Sequence, residues 1–129
     1  MAPGLVMRAA HYPGRAPIDS YGNGGFRFAG MSHRGSLMCL PSGIHGWAAP
    51  VPAALDEASL AKVFGEATAI EILLIGTGRQ IVPLAGEVRQ RCRVEKIIAE
   101  AMSTGAAVRT FNVLLAEERA VAAALIAVD

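Results

Sequence analysis

Ile70-Glu71-Ile72-Leu73-Leu74-Ile75 is apolar at every position but one and breaks at once into Gly76-Thr77-Gly78-Arg79. A run that is hydrophobic at consecutive rather than alternate positions belongs to a strand covered on both faces, as in a parallel sheet flanked by helices. A strand over 70–75 that ends in a glycine-rich corner predicts a βα unit, and such a unit needs neighbours of its own kind.

Those neighbours are legible on both sides. Upstream, Asp56 can cap free amides, Glu57 suits the positive end of a helix and Leu55 can staple onto Leu60, which predicts a helix over 56–65 with Leu60, Val63 and Phe64 on one face and Gly65 as its stop. Downstream, Pro83 suits a first helical position, and Leu84, Val88 and Cys92 follow at spacings of four, predicting a helix over 83–95. Beyond it the residues allow two readings. Val94, Ile97, Ile98 and Ala101 keep helical spacing and would carry the helix to Met102, whereas a strand over 97–102 would complete a second βα unit. Ser103-Thr104-Gly105 then offers a hydroxyl cap to a helix over 104–118 with Val108, Phe111 and Leu115 on one face. A buried strand over 121–128 closes the pattern, although its alanines also suit a helix.

The first half is richer in glycine and reads as antiparallel. Phe26 and Phe28 bracket Arg27 with a period of two, and the apolar run Ser36 to Leu40 is separated from Ile44 to Trp47 by Pro41-Ser42-Gly43, which predicts a hairpin across Ser42-Gly43. Residues 1–17 carry Arg8, Arg15 and three prolines without an apolar core, so they read as an irregular arm ahead of a single α/β domain over 18–129.

Composition narrows the function classes. The 129 residues suit one core, but a hydrophobic share of 53% and a mean hydropathy of +0.39 are high for a chain of this size, so a protein partner or a homo-oligomer is expected to cover part of the surface. The longest apolar run, Ala120 to Val128, is less than half of the roughly 20 residues that a membrane-spanning helix requires. A net charge of +1 excludes the bulk electrostatic footprint of a nucleic-acid binder, and Arg89, Arg91 and Arg93 scatter around their helix as a solvated face. His11, His33 and His45 are irregularly spaced and Cys39 and Cys92 stand outside any CxxC setting, so neither a metal nor a disulfide is expected. Ser36 and Ser42 lack the GxSxG setting of a hydrolase, and Gly76-Thr77-Gly78 falls short of both nucleotide-binding glycine patterns, so no cofactor is expected. Tyr21 and Trp47 read as core plugs ahead of interface anchors, and Gly24-Gly25 as a bulge or a lid. The arginine- and alanine-heavy balance suggests a GC-rich bacterial genome, and two isolated cysteines fit a reducing compartment, so the protein is expected in the bacterial cytoplasm, or in the mitochondrion of a eukaryote.

Four segments carry a resemblance: Tyr21 to Phe28, Gly35-Ser36-Leu37, Leu73 to Gly78, and Met102 to Leu115, followed by Val121-Ala122-Ala123-Ala124-Leu125-Ile126. In this order they resemble the family of mitochondrial respiratory complex I assembly factor 3 and its bacterial relatives. The resemblance implies a three-layer α/β fold with a mostly parallel central sheet in which 97–102 is a strand, overriding the local helical pattern. It also implies a role, for mitochondrial members, in building complex I together with a partner assembly factor, while bacterial members have no agreed activity. Two positions depart from the pattern: Lys96 stands where a glycine would normally end the helix, and Glu117-Glu118-Arg119 lacks its usual small residue.

In a parallel sheet, ligands bind beyond the carboxyl ends of the strands, where helices present free amides. Two Thr-Gly corners fall there. The functional hypothesis is that Thr77, Gly78, Arg79, Thr104, Gly105, Arg109 and Asn112 hold an anion such as a phosphate or carboxylate. A structural reading stands ahead of it, with glycines allowing tight turns, Thr104 capping a helix and Arg109 paired with an acid. The leading expectation is a non-catalytic binding or assembly module linked to complex I biogenesis; the alternative is an anion-binding protein or enzyme built on those corners.

Overall fold

The computed structural model describes residues 11–129. Its strands are β1 (His11–Tyr12), β2 (Ile18–Gly22), β3 (Gly25–Phe28), β4 (Met31–Arg34), β5 (Ser36–Leu40), β6 (Gly43–Trp47), β7 (Ile72–Gly76), β8 (Ile98–Met102) and β9 (Val121–Leu125). The helices are α1 (Ala61–Phe64), α2 (Gly86–Val94) and α3 (Thr104–Ala116). A six-stranded sheet has the order β1-β6-β5-β9-β7-β8, and a separate sheet has the order β2-β3-β4. Within the large sheet β7 runs parallel to both β8 and β9, while β1, β6 and β5 add antiparallel strands on the far side of β9.

The consecutive apolar run is explained by two cores. Leu73 and Ile75 point with Met38 and Leu40 into a core closed by Val63 and Phe64 of α1 and by Val88 and Cys92 of α2. Leu74 points the other way, into a core that Phe111 and Val108 of α3 share with Phe26 and Phe28 of the small sheet. Leu73, Leu74 and Ile75 are all at most 1% exposed, and burying each side chain contributes about 1.5–3 kcal/mol. The alternating pair Phe26 and Phe28 covers one side only, and Arg27 between them is exposed.

α2 ends at Val94, and Ile98 to Met102 pair with β7 in register, so the strand reading over 97–102 holds. The chain turns there through Lys96 at φ +60°, with Ile97 N donating to Cys92 O (2.8 Å) and Lys96 N to Arg93 O (3.0 Å). α3 ends in the same way at Glu118, φ +59°, with Arg119 N on Leu114 O and Glu118 N on Leu115 O. Both positions that depart from the family pattern are thus left-handed helix ends occupied by a residue with a Cβ.

Several boundaries move for local reasons. The helical segment expected over 56–65 is regular only over Ala61–Phe64. Asp56 caps as expected, its Oδ1 accepting from Ser59 N while Ser59 Oγ accepts from Asp56 N, but the following turns close over three residues, Leu60 N on Glu57 O and Ala61 N on Ala58 O, and Trp47 Nε1 takes the Ser59 carbonyl that a longer α-helix would use. α2 begins at Gly86 rather than Pro83, because Thr77 Oγ1 accepts from Val82 N and donates to Gln80 O, holding the intervening loop. β5 and β6 form the expected hairpin, with Leu40 opposite Gly43 and Pro41-Ser42 as the two-residue turn. Of the arm over 1–17, residues 1–10 lie outside the described residues, whereas His11–Tyr12 pairs with β6 and Ala16 is buried. Gly24 sits in the β2–β3 turn at φ +77°, and the bulge lies in β2 between Ile18 and Ser20. Trp47 packs on the core, but Tyr21 is exposed, against the expectation of a core plug.

Candidate functional site

β7 and β8 end level, with Gly76 opposite Met102, so the two Thr-Gly corners meet. They interlock. Thr77 N donates to Met102 O at 2.8 Å, Thr104 N to Gly78 O at 2.7 Å, and Gly78 N to Thr104 Oγ1 at 3.0 Å. A Cβ on Gly76 would lie 2.9 Å from the Thr104 Cα, which is why the strand can end this close to the helix.

The seven expected site residues divide into two groups. Gly78, Arg79, Gly105 and Arg109 line one hollow of about 310 Å³, together with Tyr21, Ser103, Val128 and Asp129. Arg79 and Arg109 are exposed there, and Arg79 Nη2 donates to the Asp129 carbonyl at 3.2 Å. Among the described residues neither arginine is in an ion pair. The hydroxyls are elsewhere engaged. Thr77 Oγ1 serves Gln80, Met102 and Val82, and Thr104 Oγ1 donates to Ile126 O at 2.7 Å while accepting from Gly78 N. Asn112 faces away from the hollow: its Oδ1 accepts from Ile18 N at 2.8 Å and its Nδ2 donates to Ile18 O at 2.9 Å, docking β2 on α3 as another strand would. The helix cap is Ser103, which accepts from Ala106 N.

One cluster has no signal in the sequence. Ser42 Oγ lies 2.9 Å from His45 Nε2 and donates to Glu66 Oε2 at 2.6 Å, with Ser42 N on Glu66 Oε1. His45 stacks on His11 at 4.8 Å between ring centroids, and burial, Lys62 and His11 lower its pKa. Only the fold brings residues 24 positions apart together. The arrangement does not activate the serine through histidine, since the hydroxyl proton goes to Glu66 and His45 must then donate to the oxygen. It ties the β5–β6 turn to the segment after α1. Cys39 is no nucleophile either, as burial pushes its thiol up to about 12. Arg91 bridges Glu57 and Glu95 and lies 4.6 Å from the Phe64 ring centroid, whereas Arg89 and Arg93 are exposed as expected.

Residues 18–126 match the family described as a protein of unknown function (DUF498/DUF598). The chain belongs to this family. This DUF498/DUF598 chain is 40% identical to an uncharacterized protein of Rhodobacter capsulatus, over 95% of its own length and 93% of the relative's. It is 32% identical to the mouse NADH dehydrogenase [ubiquinone] 1 alpha subcomplex assembly factor 3, covering 95% of the chain but 66% of that protein, so it spans just under two thirds of the mammalian relative. A crystal structure described as an outer membrane protein from Bartonella henselae superposes with a TM-score of 0.89 at 57% identity, covering 92% of this chain and all of that one. Among the described residues no helix is long and apolar enough to cross a membrane, and no group of side chains could hold a metal ion.

Proposed function

We propose that this protein is a non-catalytic module that binds other proteins during the assembly of respiratory complex I, acting in the bacterial cytoplasm. The observation that carries this reading is the 32% identity, over 95% of the chain, to an animal complex I assembly factor. Exposed apolar side chains support it: Ile98 lies on the edge strand β8, Val94 at the end of α2 and Val113 on α3, each more than half exposed, as a protein-binding surface would have them. Deleting the gene in its native cells should lower the amount of intact complex I on native gels, and a tagged chain should recover complex I subunits. Unchanged complex I in the deletion strain overturns the reading.

A second reading is favoured by the hollow that holds Gly78, Arg79, Gly105 and Arg109 together beside the amino end of α3. Here the protein binds a small anion, a phosphate or carboxylate, as a ligand or substrate. Thermal stabilisation by such anions, lost in Arg79→Ala and Arg109→Ala, supports it; no stabilisation by any of them sinks it.

A further inference from the structure

The small sheet packs on the core through one face only. Phe26 and Phe28 point inward, so the residues that alternate with them point to solvent. Register sets these in two rows across the three strands: Ser20, Arg27 and Ser32 in one, and Gly22, Gly25 and Arg34 in the next. Arg27 and Arg34 are thus diagonal neighbours, about 7–8 Å apart along the sheet and within reach of one another's guanidinium groups. Gly22 and Gly25 bring no side chain, and a Cβ on Gly25 would collide with the His33 carbonyl of β4. The second row is therefore bare backbone up to Arg34, and the two rows line a hollow of about 440 Å³.

No acid lies on the walls of this hollow. Asp19, the one acid in the three strands, sits at the β2 bulge and outside it. Among the described residues neither Arg27 nor Arg34 is in an ion pair. Like charges side by side on a sheet repel, so an anion between the two guanidinium groups relieves a repulsion that the protein's own side chains leave in place.

We infer that this hollow binds a small phosphate monoester, with Arg27 and Arg34 gripping the phosphate and the Ser20 and Ser32 hydroxyls beside them. A monoester carries about two negative charges at pH 7 and balances two guanidinium groups, whereas one carboxylate satisfies a single guanidinium fork. The glycine row leaves room for the organic part, in a hollow of the size that small ligands fill. This site is separate from the crevice at the Thr-Gly corners, because Tyr21, opposite Phe26, stands on the other face of the small sheet, toward α3.

Titration of phenyl phosphate into the full chain, followed by the amide NMR spectrum, tests this. Saturable shifts are expected at Gly22, Gly25 and Arg34, with the affinity weakened about tenfold or more by Arg27→Gln and by Arg34→Gln. Arg89→Gln with Arg93→Gln, on α2, should leave it unchanged. Should a glutamine variant fail to fold, as its own spectrum shows, Arg27→Lys or Arg34→Lys takes its place and should still weaken binding, because lysine keeps the charge but loses the bidentate fork. Shifts that never saturate overturn the inference. So do shifts confined to Gly78 and Gly105, which put the anion in the corner crevice, and so does an equal affinity for benzoate, which removes the need for a dianion. A phosphoserine peptide should bind no tighter than phenyl phosphate; binding about tenfold tighter overturns the small-ligand assignment in favour of a phosphorylated protein.

Discussion

Replacing Thr104 by valine isolates the bonds that join the two corners. Thr104 is fully buried, and its Oγ1 is the sole side-chain link between the Gly78 amide at the end of β7 and the Ile126 carbonyl just past β9. Valine has the same shape, so no cavity forms and the loss reduces to two backbone groups left without partners inside the protein. Each costs about 1–3 kcal/mol, giving about 2–6 kcal/mol in total, a large part of the 5–15 kcal/mol typical of a domain. In urea, with a slope of about 2 kcal/mol/M, that corresponds to a fall of roughly 1–3 M in the midpoint with an unchanged slope, followed by the fluorescence of Trp47, the single tryptophan. Thr104→Ser keeps both bonds and gives up one methyl group, for about 0.5–1.5 kcal/mol. If valine stays within about 0.5 kcal/mol of the parent, or serine costs as much as valine, the hydroxyl does not hold the corners and this account is wrong.

Three further outcomes follow from the geometry. Arg109→Ala should shift stability by no more than about 0.5 kcal/mol in chemical denaturation, because the exposed guanidinium leaves no orphaned partner behind; a loss above 1 kcal/mol would reveal a structural role. Lys96→Gly and Glu118→Gly should each raise stability by about 0.5–1 kcal/mol, since relief of the left-handed strain exceeds the added flexibility of the unfolded chain, and a decrease at both sites would refute the helix-end assignment. The lowered pKa of His45 means that the folded state binds fewer protons than the unfolded one, so its contribution is complete above its ordinary value of 6.5 and is lost as pH falls below it. Urea midpoints should therefore drop between about pH 7.5 and 5.5, and the drop should shrink in His45→Gln; a parent that gains stability on acidification contradicts the direction.

The parallel half of the sheet was open to reading because burial on both faces writes itself into consecutive apolar residues, as at Leu73-Leu74-Ile75. The neighbouring strand 98–102 was not readable locally. Its spacing imitates a helix, and what makes it a strand is the ladder with β7 and the chain reversal at Lys96, a residue that does not advertise a left-handed turn. β4 went unread because Met31 to Arg34 covers no core and shows no alternation of buried and exposed residues. At the corners, spacing brought Gly78, Arg79, Gly105 and Arg109 together correctly. Residue type could not show that the hydroxyls of Thr77 and Thr104 bind their own backbone, or that Asn112 stands in for a strand. Tyr21 entered the crevice from a different sheet, a proximity that only tertiary structure supplies.

β9 follows every other strand in the chain yet lies between β5 and β7, where it is the seam that joins the antiparallel and parallel portions. A nascent polypeptide can close the β5–β6 hairpin early, but β5 and β7 have no common neighbour until residue 125 has left the ribosome. Closure of the sheet consequently waits on β9 and depends on distant pairings, the kind that form slowly. Until β9 is in place Leu37 and Leu74 lack the strand that lies between their own, so the apolar interior closes only when that strand docks.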